Sequence, residues 1–283
     1  MVTSGYAGII HIIIGTRCIK FVKTQCIAFL TINNLLNQSF NMKLFNILLS
    51  FVIVMGITSC GSTSKTKTAK AEEGWTNIFD GKTTTGWRGY NKTTFPATGW
   101  EVVDGTLHCI GSGAGEAGGG GGDIIYDKKL GNFELSIEWK ISEGGNSGIF
   151  ILAQEIPNEP IYKSSPEMQV LDNDRHPDAK LGVNGNRMAG SLYDLIPAVP
   201  QNTKPVGQWN QVKILVYQGT VVFTQNGANV VEFHLWTDDW KKMCANSKFA
   251  EWPWFINTAK EGYIGLQDHG NDVWFRNIKI RQL

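Results

Sequence analysis

Residues 132–141 read Asn-Phe-Glu-Leu-Ser-Ile-Glu-Trp-Lys-Ile, and apolar and polar side chains alternate along them without a break. Phe133, Leu135, Ile137, Trp139 and Ile141 fall on one parity, Glu134, Ser136, Glu138 and Lys140 on the other. An extended strand places successive side chains on opposite faces and sorts this pattern cleanly, whereas a helix would spread it around its circumference. The pattern therefore predicts a strand with one dry and one wet face. Such a strand belongs to an antiparallel sheet that needs a second layer over its apolar side.

The rest of the chain supplies that layer in short pieces. Trp100 to Ile110 reads as a hairpin around an Asp104-Gly105 turn, and Asn226-Gly227 marks a second one between Val221 and Phe233. Gly145 to Leu152, Trp209 to Tyr217, Gly262 to Leu266 and Val273 to Ile280 are further strand-like runs, while Pro197, Pro200 and Pro205 keep their segment out of any central strand. Many short strands at hairpin spacing predict an all-β, two-sheet antiparallel sandwich. From Leu235 to Lys260 the periodicity stops. This tryptophan-dense stretch predicts an insertion with one short helix, its rings serving packing before ligand stacking.

The N-terminal quarter has a different character. From Met42 there is a charged start (Lys43), an apolar run from Leu44 to Ile57, and small residues before Cys60, the form of a secretory signal. The ending Ile57-Thr58-Ser59-Cys60 resembles the lipobox of bacterial lipoproteins, in which the cysteine is lipidated and becomes the mature N-terminus. This implies an exported, membrane-anchored lipoprotein, periplasmic or at the cell surface, with a signal anchor as the alternative. The apolar run is short for a membrane span. Residues 42–59 are then the signal peptide, 60–73 a polar, flexible tether, and 74–283 the folded domain. Residues 1–41 precede a complete signal and read as an extension from a mis-assigned start, a membrane hairpin being the weaker alternative. Once these segments are set aside, only Cys109 and Cys244 remain in the domain, and no cysteine spacing suggests zinc. A net charge of +1 gives no electrostatic case for nucleic acid.

Candidate site residues come from three strand-like runs. In Pro166 to Asp174 (Pro-Glu-Met-Gln-Val-Leu-Asp-Asn-Asp), Met168 and Val170 share one face, and Glu167, Gln169 and Leu171 the other. Either this is an edge strand showing Glu and Gln to water, or it is the polar floor of a binding site. Asn146, within Gly-Gly-Asn-Ser-Gly-Ile-Phe, and Gln267, His269 and Arg276, within Leu-Gln-Asp-His-Gly-Asn-Asp-Val-Trp-Phe-Arg-Asn-Ile, favour the second reading. Tyr193 is a further candidate for binding. Asp172 and Asp174, just past the strand, could hold a hard divalent cation, although no full ligand set is legible and no cofactor is required. The glycine run from Gly111 to Gly122 has no lysine and no following helix, so it is no phosphate loop. It reads as a mobile loop that could act as a lid. An ordinary two-carboxylate glycosidase would need Glu167 and Asp172 together, yet on a straight strand they stand roughly 17 Å apart on opposite faces.

Seven motifs occur in order: Phe-Asp-Gly-Lys-Thr-x-x-Gly-Trp (79–87), Trp-x-Val-x-Asp-Gly (100–105), Asn-Phe-Glu-Leu-x-x-Glu-Trp-Lys (132–140), Asn-Ser-Gly-Ile-Phe (146–150), Glu-Met-Gln-Val-Leu-Asp (167–172), Gly-Gln-Trp-Asn (207–210), and Gly-Leu-Gln-Asp-His-Gly with Phe-Arg-Asn-Ile (265–278). Together they resemble the 3-keto-disaccharide hydrolase domain family across residues 74–283. The resemblance implies a concanavalin A-like jelly roll acting on glycosides oxidised at C3, and a separate sugar 3-dehydrogenase that supplies them. On such a substrate the hydrogen on C2 is acidic, and the glycosidic oxygen on C1 can leave by elimination. Glu167 is then the candidate base, and His269 is the candidate acid or an ordinary turn residue. Arg276 is the candidate for the enolate charge or a structural ion pair. Asn146, Gln169, Tyr193 and Gln267 would bind sugar. The rival reading is a lipid-anchored carbohydrate-binding module without turnover.

Overall fold

The computed structural model describes residues 74–114 and 120–283. The expectations for residues 1–73, including lipidated Cys60, lie outside the described residues, as does the middle of the glycine run.

The strands are β1 (Thr76–Asn77), β2 (Trp87–Gly89), β3 (Trp100–Val103), β4 (Thr106–Cys109), β5 (Ile124–Tyr126), β6 (Phe133–Ile141), β7 (Asn146–Ala153), β8 (Glu167–Leu171), β9 (Asn210–Tyr217), β10 (Thr220–Gln225) and β11 (Ala228–His234). Two short helices follow, α1 (Asp238–Ala245) and α2 (Pro253–Ile256), and then β12 (Tyr263–Leu266) and β13 (Val273–Gln282) close the chain. One sheet runs β11-β10-β9-β6-β13-β4-β3, with β1 added along β13. The other runs β2-β5-β12-β7-β8, and every pairing between strands is antiparallel. The described residues form a jelly-roll sandwich.

The alternation in β6 does what its parity requires. Phe133, Leu135, Ile137, Trp139 and Ile141 are buried, and the four residues between them are half-exposed. Ile149, Met168, Val170, Ile264 and Leu266 meet them from the five-stranded sheet, so the core lies between the layers. Both predicted turns are present. Asp104-Gly105 and Asn226-Gly227 take left-handed φ at both positions (49° and 75°; 48° and 87°), the twist a two-residue hairpin needs. A third such turn at Gln218-Gly219 joins β9 to β10. Cys109 and Cys244 are buried and unpaired.

The insertion differs from expectation by one helix. Thr237 caps α1 by accepting the Trp240 amide, with Asp238 and Asp239 in the first turn. Proline at the start of α2 sets up its first turn. Between them, Trp240 stacks on Phe233 and Phe255 (5.6 and 5.5 Å), and Phe255 stacks on Phe249 (4.1 Å). These rings hold the insertion to β11. The tryptophan-rich pattern therefore marks aromatic packing, as expected, though Trp252 has a second use described below.

Candidate active site

β8 is an edge strand by topology, but its edge is not open to water. The segment 190–193 lies along it. The Gln169 amide donates to the Ser191 carbonyl, and Gly190 and Tyr193 donate back to the carbonyls of Gln169 and Glu167 (2.8–3.0 Å). Glu167 and Gln169 are consequently only 7% and 1% exposed. They project from the face of the sheet opposite Met168 and Val170, on the side of Phe150 and Ile161. Gly148 on β7 leaves space for the Glu167 carboxylate.

A pocket of about 250 Å³ opens on this outer face. Asn146 comes from β7, Glu167 and Gln169 from β8, and Gln267 and His269 from the turn after β12, while Tyr193 comes from the strap over the β8 edge. Six of the candidate residues thus converge from four separate parts of the chain. The remaining walls were not legible as site residues. They are Tyr162 and Ser165 from the proline-rich loop, and Lys248, Phe249, Trp252 and Phe255 from the insertion. Tyr162 and Trp252 lie 5.5 Å apart and make an aromatic wall, and the Lys163 ammonium covers Trp252 at 4.0 Å.

Charge is concentrated on one side. Arg187 donates to Asp194 (2.5 Å) and Asp178 (2.8 Å), and the Tyr193 hydroxyl donates to the second oxygen of Asp178 (3.0 Å). Lys248 sits 3.6 Å from Asp194 and 4.0 Å above the Tyr193 ring. Burial, reinforced by the negative charge of Asp178, raises the Tyr193 phenol well above its ordinary range. Burial also lowers the Lys248 ammonium, against the opposing pull of Asp194. On the other side, His269 packs edge-on against His176 at 6.1 Å. Its Nδ1 is buried with no hydrogen-bond partner among the described residues. Burial, and then the neighbouring His269, hold His176 below the usual histidine range. Its Nδ1 accepts the Asp178 amide.

Asp268 explains how the glycine run reaches this site. One of its carboxylate oxygens accepts the amides of Gly121 and Gly122, and the other accepts Gly270 (all 3.0 Å). The end of the run is therefore pinned beside His269.

Two candidates fall elsewhere. Arg276 does not join the pocket. The chain passes from the five-stranded to the eight-stranded sheet between β12 and β13, so Arg276 lies on the other layer. There it donates to Glu138 (2.9 Å) and stacks 3.9 Å over Trp209, the structural ion pair that sequence left open. Asp172 is not a pocket residue either. One of its oxygens accepts Gly144 (2.7 Å) and the other Asp174 (3.1 Å), shaping the turns at the strand ends. Among the described residues no group of three or more His, Cys, Asp or Glu side chains gathers in a way that could hold a metal ion.

Fold and pocket together define a jelly-roll protein whose outer sheet face carries a pocket lined by amides, a carboxylate and aromatic rings, the make-up of a site for a small polar ligand. The chain belongs to the 3-keto-alpha-glucoside-1,2-lyase-like domain family, which matches residues 74–281. The 3-keto-disaccharide hydrolase of Bacteroides thetaiotaomicron is 54% identical over 230 residues, covering 75% of this chain and 79% of that protein. Two crystal structures from Parabacteroides distasonis, assigned as glycosyl hydrolases, superpose with TM-scores of 0.66 and 0.58. Their identities are 31% and 25%, over 75% and 74% of this chain and 94% and 99% of theirs.

Proposed function

We propose that this chain hydrolyses 3-keto-disaccharides by taking the proton from C2 of the oxidised sugar. The observation that carries the reading is the buried Glu167 carboxylate, held in a sugar-sized polar pocket beside amides and a histidine. The Bacteroides relative supports the substrate class.

The steps follow from the chemistry of a β-alkoxy ketone. Glu167 takes the C2 proton, and the C2–H electron pair moves toward the C3 carbonyl as an enolate. The enolate re-forms the ketone, a C1–C2 double bond appears, and the C1–O bond breaks. His269 gives the departing oxygen its proton, so the second sugar leaves as an alcohol. Water then adds at C1 and a proton returns to C2, giving a free 3-keto sugar. The sum is substrate plus one water. Asn146, Gln169 and Gln267 orient the hydroxyls, and the Tyr162–Trp252 wall faces the sugar rings. A separate 3-dehydrogenase would supply the ketone. Export with a lipid on Cys60 would place the enzyme in the cell envelope, and mass spectrometry of the mature N-terminus tests that placement.

The deciding experiment incubates the protein, and Glu167→Gln, with a 3-keto-disaccharide and with its unoxidised parent. Turnover of the keto sugar alone is expected, with a loss of about 10²–10⁴-fold in kcat for Glu167→Gln and binding retained. Equal turnover of both sugars, or full activity of Glu167→Gln, refutes the proposal. Binding of either sugar without turnover makes the protein a carbohydrate-binding module.

A further inference from the structure

Removing the C2 proton places negative charge on the C3 oxygen, and a group must meet it. Among the described residues that line the pocket, Lys248 is the one lysine or arginine. We propose that Lys248 is a catalytic residue whose ammonium donates a hydrogen bond to the C3 oxygen as the enolate forms. This rests on the C2-deprotonation reading above.

The surroundings of Lys248 suit the role. Arg187 already donates to Asp194 at 2.5 Å, whereas Lys248 stands 3.6 Å from that carboxylate. This is beyond a good N–H···O bond, so its protons remain to be donated. The Tyr193 ring face at 4.0 Å favours the charged form, and the side chain is only 35% exposed. A charged donor held in a largely desolvated pocket acts most strongly on charge that develops during the reaction. The groups facing it are Asp194, Arg187, Glu167 and Asp178, and burial outweighs the carboxylates among them in lowering its proton affinity. The ammonium is thereby a better donor than a surface lysine. It lines the same pocket as Glu167, so the base and the electrophile come from different parts of the chain: a strand of the sheet and the insertion.

The test measures kcat, KM and the pH profile on a 3-keto-disaccharide for the wild type, Lys248→Met and Lys248→Arg, alongside hydrogen–deuterium exchange at C2. Lys248→Met should lose about 10²–10³-fold in kcat with little change in KM, and C2 exchange should slow in step. The wild-type rate should fall on the alkaline side below pH ~10.4, the ordinary lysine value. Lys248→Arg should keep part of the activity and lose that limb, which a packing role would leave unmoved. The arginine variant decides the matter if Lys248→Met does not fold. Near-wild-type kcat in Lys248→Met, or an unchanged alkaline limb in Lys248→Arg, overturns the proposal. Borohydride trapping of the sugar on Lys248 also overturns it, since the amine would then act through an imine. A wild type inert on the keto sugar defeats the C2 reading instead.

Discussion

A Cβ on Gly148 would stand 2.0 Å from Oε1 of Glu167. Register pairs Gly148 with Gln169 and Phe150 with Glu167, so the Glu167 side chain leans diagonally over the bare backbone of the neighbouring strand. The missing side chain is what lets the carboxylate lie against the sheet floor. Gly148→Ala should therefore push Glu167 aside, because the atoms in the way, from Cγ to Oε1, all belong to that side chain and none to the backbone. Kinetics should show kcat down by about 10²-fold, the scale of a misplaced catalytic group. Thermal unfolding should show a modest fall in melting temperature, the cost of re-seating a buried side chain. Undiminished kcat would mean that Glu167 can serve from another position.

Arg276 offers the opposite test. Its partners are Glu138 and the face of Trp209, both on the outer side of the eight-stranded sheet. Arg276→Met should leave kcat/KM within about twofold and remove about 1 kcal/mol of stability, the range of a partly exposed ion pair with ring stacking. A large loss of kcat at unchanged stability would return Arg276 to the reaction.

His176 makes stability depend on pH in a definite direction. Folding lowers its proton affinity through burial and the adjacent His269. The unfolded chain, with the ordinary value near 6.5, takes up the proton first as pH falls. Stability is therefore complete above that value and declines as acid is added below it. His176→Asn keeps an acceptor for the Asp178 amide and removes the titration. Its melting temperature should fall less than the wild type's between about pH 6.5 and 5. Parallel curves would show that the acid sensitivity arises elsewhere.

Strand parity made half of the site readable in advance. Glu167 and Gln169 sit where alternation puts them, and Gln267 and His269 interrupt an apolar run close to its end. The same reasoning could not place Arg276, because parity says which side of a strand a residue takes and nothing about which sheet the strand joins. β13 compounds this with a register shift between Arg276 and Lys279 and a left-handed φ of 52° at Asn277. Lys248, Phe249 and Trp252 were illegible for another reason. The insertion has no sustained period, and its rings reach the pocket only because Trp240, Phe249 and Phe255 stack into a unit that aims them. Asp172 looked like a ligand because its turn partners are backbone amides, which no sequence displays.

The insertion closes on its own aromatic stack, while the carboxylate and amides hang on strands and strand-end turns held at a spacing of about 4.8 Å. The backbone bonds that place β8 and Glu167 come from β7 and the 190–193 segment, outside residues 235–260. Two parts of the proposed site thereby rest on different parts of the chain. On the reading proposed above, the base for the C2 proton hangs on the sheet, while the Lys248 ammonium that meets the enolate and the rings beside it come from the insertion. Substitutions in the rings bordering that lysine are then the ones expected to change which leaving sugar the pocket accepts.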